Sequence, residues 1–164
     1  MVAMLYAWFY QEILGYLLSL SGDRPLSEDI TQDTFLRALR NADTLQDMAK
    51  PACRAWLYKT ARNLFIDRMR RKKLENGCLP SADGYEEDFT AIEVREALAV
   101  LSEEERELFS LRYLQGWNAA EIGGMFGLPA ATVRTRLLRA RMTLKKAFAE
   151  ETRQEENHGK VQEE

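Results

Sequence analysis

The stretch from Asn118 to Arg141, NAAEIGGMFGLPAATVRTRLLRAR, decides how this chain is read. Ile122 and Phe126 recur four residues apart before Gly127, and Val133 and Leu137 do the same after it. Apolar residues at that spacing line one face of a helix. Joined at Gly127-Leu128-Pro129, the two faces can pack into each other across a tight turn. Arg134, Thr135, Leu138 and Arg139 then point away from the packed face. The pattern is a helix-turn-helix. A helix so presented suits the major groove of duplex DNA, which is wide enough for it and displays base-specific donors and acceptors. Arginine reads guanine there, and further arginines can hold phosphates. An ordinary helical hairpin with a solvated basic face has the same periodicity, and at this point both readings stand.

Outward from that stretch, helical periods dominate. A first helix over Val2 to Leu20 places Leu5, Trp8, Phe9, Ile13, Tyr16, Leu17 and Leu20 on its apolar side, and Gly22 and Pro25 end it. Ser27 is the expected N-cap of a second helix, SEDITQDTFLRALRNADTL, with Glu28 and Asp29 favouring the positive end of its dipole. Its apolar stripe is Ile30, Thr34, Leu36 in part, Ala38 and Leu39, with Phe35 adjacent. A loop, QDMAKPACR, precedes a third helix, AWLYKTARNLFIDRMRRKK, which turns Trp56, Ala61, Leu64 and Met69 inward and ends in a basic cluster. Leu74 to Phe89 is rich in turn formers and acids, the composition of a linker. Beyond it, Ser102 and Glu105 form a capping-box pattern, and Gly116 breaks the helix they start. The fold class is therefore all-α. Two small helical domains, residues 1–74 and 93–149, are joined by a flexible acidic linker over 75–92, and the second is the helix-turn-helix domain. A tail over 150–164 has almost no hydrophobic residue and is expected to be disordered.

The charge of the 164-residue chain sums to −3, from 23 Lys+Arg against 26 Asp+Glu, which taken alone argues against nucleic acid. Its distribution argues the reverse. Pro51 to Leu74 holds 8 basic residues and 1 acidic, and Leu108 to Phe148 holds 7 and 1. Glu75 to Glu107, between them, holds 2 basic residues and 11 acidic. Salt screens charge over roughly 8 Å at physiological ionic strength, so a ligand at one basic face hardly senses the distant acids. The first basic block interleaves Arg62, Arg68, Arg70, Arg71, Lys72 and Lys73 with Trp56 and Tyr58 upstream, a mixture suited to unstacked single strands. A basic helix terminus stabilised by its dipole would look the same.

Other classes find less support. The two cysteines, Cys53 and Cys78, form no CxxC pair, and the single histidine, His158, lies in the polar tail. A structural zinc site would lack ligands, and two separate thiols in a reducing cytosol is the reading preferred to a Cys53–Cys78 disulfide. No Ser/His/Asp set and no glycine-rich phosphate loop is present, so no catalytic residue, metal or cofactor is expected. The apolar start lacks a basic leader and carries Gln11 and Glu12, which favours a buried first helix over a membrane anchor and makes the cytoplasm the default compartment.

Three blocks then resemble a known family. SEDITQDTFLRAL, AWLYKTARNLFIDRMRRKK and LSEEERELFSLRYLQGWNAAEIGGMFGLPAATVRTRLLRAR, in that order, are similar to the extracytoplasmic-function class of bacterial RNA polymerase sigma factors. The resemblance reaches to about Ala149 and implies a factor reduced to its second and fourth conserved regions. It implies that Asp29, Gln32, Asp33 and Phe35 form the pattern that docks on the clamp helices of the polymerase β′ subunit, the acids and Gln meeting the partner and Phe35 either joining them or belonging to the core, and that the β flap is a further contact. It implies that the loop from Gln46 to Ala55, which includes Lys50, captures a base flipped from the minus-ten promoter element. Arg62 and Asn63 follow it, Trp56 supports it, and Arg68, Arg70 and Arg71 hold backbone. Pro51 and Cys53 within that loop are departures, and such loops vary with the base they read. Arg134, Thr135, Leu138 and Arg139 would read the minus-thirty-five element, with Arg136 and Arg141 on phosphates or in structural pairs. Family members are commonly silenced by an anti-sigma factor. The implied function is to bind core RNA polymerase and direct promoter-specific initiation; the alternative is a stand-alone helix-turn-helix regulator indifferent to polymerase.

Overall fold

A computed structural model describes residues 1–76 and 96–161. The expected linker beyond Asn76, with Cys78, lies outside the described residues. All regular structure among the described residues is helical, and the chain divides into two compact units, Met1–Ala91 and Ile92–Glu164.

The first unit contains α1 (Val2–Ser21), α2 (Arg24–Arg40), α3 (Ala42–Gln46) and α4 (Lys50–Asn76). α1 buries Leu5, Phe9, Ile13, Leu14, Tyr16 and Leu17, and packs on α2 and α4. Trp8, expected on that buried side, is instead exposed on the neighbouring face, with Lys50 Nζ 4.0 Å from its ring centroid. Gly22 ends α1 in the left-handed region, φ 63°, and its N–H donates to the Leu18 carbonyl at 2.9 Å. A residue with a Cβ enters that conformation at a cost, which is why glycine closes so many helices.

α2 begins four residues earlier than expected. Asp23, not Ser27, is its N-cap: the Asp23 carboxylate accepts from the Leu26 N–H at 3.0 Å, and Pro25 sits in the first turn, where its missing N–H is no loss. Ser27 is fully buried, its hydroxyl 2.8 Å from that of Ser21, so it ties the end of α1 to the start of α2. The buried stripe of α2 is Ile30, Thr31, Thr34, Phe35 and Ala38. Leu36 and Leu39, assigned inward by the sequence, are 50% and 57% exposed, because each lies about 100° around the helix from a buried neighbour.

α4 absorbs most of the expected capture loop. It starts at Lys50, so Pro51 falls in its first turn and Cys53 becomes its first buried residue. Its inward face is Cys53, Leu57, Tyr58 and Ala61; Trp56, Leu64 and Met69 are only half-buried. Tyr58 sets that register. Its ring lies 5.0 Å from that of Tyr16, and its hydroxyl donates to Glu12 Oε1 at 2.8 Å. Glu12 also pairs with Arg54, which satisfies a carboxylate in the middle of an otherwise apolar helix.

The second unit contains α5 (Glu103–Phe109), a π-helical turn (Ser110–Leu114), α6 (Ala119–Phe126) and α7 (Ala130–Val161). The expected capping box at Ser102 and Glu105 is present, and a second one joins Asn118 to Glu121. Leu98, Leu101, Ala140 and Leu144 form one cluster with Phe109 against it, while Leu108, Leu111, Trp117, Ile122, Val133 and Leu137 are buried. The disordered tail expected from Glu150 is instead helix as far as Val161. Glu150, Glu151, Arg153, Gln154, Glu155, Glu156 and Lys160 make up most of that stretch, and each is a good helix former even with little apolar surface to bury. Among the described residues, no helix is long and apolar enough to cross a membrane.

Removing the α2 cap by Asp23→Ala should cost about 1 kcal/mol. Thermal unfolding followed by circular dichroism should show a lower midpoint; an unchanged midpoint would mean that Asp23 does not cap the helix.

Candidate nucleic-acid interface

The helix-turn-helix is built around two glycines. Gly127 closes α6 in the left-handed region, φ 67° and ψ 33°. The Leu128 N–H then donates to the Gly123 carbonyl at 2.9 Å, turning the chain sharply towards α7. Gly123 is the closer constraint. A Cβ there would lie 2.4 Å from the Leu128 carbonyl oxygen, a backbone atom that cannot swing aside. The helix and the turn can therefore touch only because residue 123 has no side chain. The spacing of apolar residues does not single out Gly123; the signal in the sequence is the adjacent pair Gly123-Gly124 inside a helical period, where glycine is otherwise costly.

With the turn fixed, α7 shows one face inward and the other outward. Ile122 and Val133 are fully buried and Leu137 nearly so. Arg134, Thr135, Leu138, Arg139 and Arg141 are exposed, as their spacing required. Leu138 is 55% exposed, an apolar side chain placed among cations. The Thr135 hydroxyl donates to the Ala131 carbonyl at 3.0 Å, so it is anchored on its own helix and presents its lone pairs and methyl outward. Arg136 behaves differently. It is half-buried and ion-paired with Glu104, bracing α7 against α5, so of its two expected roles the structural pair is the one observed. Lys145 and Lys146 extend the exposed cations along the helix.

In the first unit, Lys59, Asn63, Asp67 and Arg70 recur at three- and four-residue intervals and are exposed, and Arg71 lies beside them. Arg62 and Trp56 are half-buried flanks of that stripe. Lys50, at the start of α4, lies over the face of exposed Trp8. Arg68 is turned towards α2 and does not lie on the stripe: it pairs with Asp29 at 2.8 Å and with Asp33 at 3.2 Å.

α2 presents a mixed face. Asp29, Gln32 and Leu36 are exposed and Asp33 is half-exposed, at intervals of three and four. Phe35, the last residue of the docking pattern, is only 4% exposed, so of its two expected places the core is the one observed. It is a support from beneath, its ring 5.0 Å from Tyr6 and 6.2 Å from Tyr10. Burial raises the Tyr10 phenol above its ordinary pKa, with Tyr6 and the Glu28 carboxylate adding to the shift. Among the described residues, no group of three His, Cys, Asp or Glu side chains could hold a metal ion.

A family model of Sigma-70 region 2 matches residues 5–75, and a model of Sigma-70 region 4 matches residues 91–144. An ECF RNA polymerase sigma factor of Mycobacterium tuberculosis, SigL, is 38% identical over 133 residues, 74% of each chain. The RNA polymerase sigma factor YlaC of Bacillus subtilis is 30% identical over 165 residues, 93% of this chain and 94% of its own. Among solved structures, the sigma factor RpoE in complex with the anti-sigma factor NepR from Bartonella quintana has a TM-score of 0.75, covering 90% of this chain and 96% of that one at 22% identity. At that identity the likeness is one of fold.

Gly123→Ala should destabilise the second unit by about 1–3 kcal/mol through forced backbone movement. Gly124→Ala, with nothing within 4 Å of the new Cβ, should be neutral or stabilising. Equal thermal midpoints for the two variants would contradict the tight turn.

Proposed function

The chain belongs to the extracytoplasmic-function class of RNA polymerase sigma factors, and from that premise we propose how its two units divide the work of promoter recognition. A factor of this class binds core RNA polymerase and directs promoter-specific initiation. The observation that carries the division is the separation of the exposed basic residues into two sets, one on each unit, each opposite a buried apolar stripe.

The second unit reads duplex DNA at the minus-thirty-five element. Arg134 and Arg139 suit guanine edges, Leu138 suits a thymine methyl, and Thr135, its hydroxyl proton given to the Ala131 carbonyl, accepts from a base donor. Arg141 holds phosphate, while Arg136 keeps α5 against α7. The first unit takes the minus-ten element after it opens. Asn63 contacts the unstacked strand, Arg62 and Trp56 flank it, Lys50 sits at the entrance, and Arg70 and Arg71 hold the backbone. Unstacking costs a few kcal/mol for each flipped base, offset by contacts that exist only with the base turned out.

Asp29, Gln32 and Asp33 form the docking face for the basic clamp-helix surface of the β′ subunit, with Leu36 as an apolar contact beside them and Phe35 beneath. The second unit meets the β flap. The chain itself supplies no catalytic group: nucleotidyl transfer and its magnesium belong to the polymerase. It works in the cytoplasm, where the polymerase is, and its regulator is an anti-sigma factor, the kind of partner bound to the structural relative from Bartonella quintana.

The two readers should fail at different steps. Arg139→Ala should weaken binding of duplex carrying the upstream element by about tenfold, the worth of one good base contact, and leave strand opening in the bound complex intact. Asn63→Ala should leave duplex binding intact and reduce permanganate reactivity of the opened thymines. Equal loss of both steps in both variants would undo the division.

A further inference from the structure

Asp29 and Asp33 stand one turn apart on the same face of α2, a spacing at which like charges repel. A single guanidinium answers both. From α4, one nitrogen of Arg68 lies 2.8 Å from Asp29 Oδ2 and another 3.2 Å from Asp33 Oδ2. The planar fork of arginine fits such a bridge, which a lysine point charge cannot span with equal geometry. In both aspartates it is Oδ2 that meets Arg68. All three side chains are more than a third exposed, so the bridge stands at the surface where a partner would arrive.

We propose that Arg68 is a positioning residue for polymerase docking rather than a promoter contact. It holds Asp29 and Asp33 in the rotamers that present their carboxylates to the donors of the core polymerase. Without it, the two carboxylates separate by repulsion, and binding must then order both, which lowers affinity. The contact also links α4, which carries the minus-ten residues, to α2, which carries the docking face. Arg70, on the far side of α4 from Arg68, and Arg71, one turn beyond Arg68, are both exposed and are left as the phosphate contacts of that helix. The proposal rests on the reading of α2 as the docking face, and the experiment separates the two.

Affinity of the full-length chain for core polymerase would be measured for wild type, R68A, R68K, D29N/D33N and the triple variant. R68A should weaken binding about threefold to fivefold, the upper range for exposed ion pairs, and R68K should recover part of the loss. D29N/D33N should weaken binding, and adding R68A to it should change nothing further. With R68A at saturating concentration on core, the salt dependence of promoter binding should keep its slope. A slope reduced by about one, the signature of a lost phosphate contact, with core affinity unchanged would overturn the proposal. So would an R68A effect that persists undiminished beside D29N/D33N. If D29N/D33N leaves core affinity unchanged, the docking face itself is wrong and the proposal falls with it. If D29N/D33N weakens binding but R68A does not, the docking face stands and only the proposal fails.

Discussion

Each helix here has one apolar stripe that must be buried, and that requirement positions everything the chain shows to its partners. In α7, Val133, Leu137, Ala140 and Leu144 go inward, so the residues between them, Arg134, Thr135, Leu138, Arg139 and Arg141, have only solvent to face. In α4, burying Cys53, Leu57, Tyr58 and Ala61 turns Asn63 and Arg70 out. The hydrophobic effect is blind to sequence-specific recognition, yet by sorting residues around each helix it gathers like charges into patches. Backbone contact then sharpens the result. The oxygen of Leu128 occupies the space of a missing Cβ at Gly123, which fixes α6 against the start of α7 and with it the direction of the exposed face of α7.

Those patches account for a net charge that at first misleads. The total of −3 is a cancellation between segments of opposite sign. Screening over roughly 8 Å makes each patch a local matter. An anion brought to α7 would respond to the cations around it, and a basic surface brought to α2 would respond to Asp29 and Asp33, with the sum over the chain irrelevant to both. The same local logic explains why single ion pairs inside the units matter. Glu12 with Arg54, Glu104 with Arg136, and Arg68 with two aspartates each place a charge where repulsion or burial would otherwise displace it.

Much of this was legible in the sequence because it depends on residues close together along the chain. The helix-turn-helix, its outward arginines and the Ser102 capping box follow from spacings of three and four. What was not legible depended on contacts between helices. Ser27 looks like a cap until Asp23 takes that place and the packing of α1 on α2 buries Ser27. The inward face of α4 is set by Tyr16 and Glu12, which stand 42 and 46 residues before Tyr58, and no period within α4 contains them. Leu39 and Trp8 satisfy an apolar pattern and still lie outside, since a stripe read from sequence is uncertain by one position at its edge. The ion pairs of Arg68 with Asp29 and Asp33 cross from α4 to α2, and no spacing within α4 contains them.

The central claim is that this chain confers promoter choice on a polymerase that lacks it. Run-off transcription with purified core RNA polymerase and a library of promoter fragments measures that directly. Defined transcripts should appear only when the chain is added, and their templates should share two short elements at a fixed spacing. Initiation that does not depend on the chain, or a chain that binds duplex DNA specifically while ignoring core polymerase, would contradict the account and leave a stand-alone helix-turn-helix regulator.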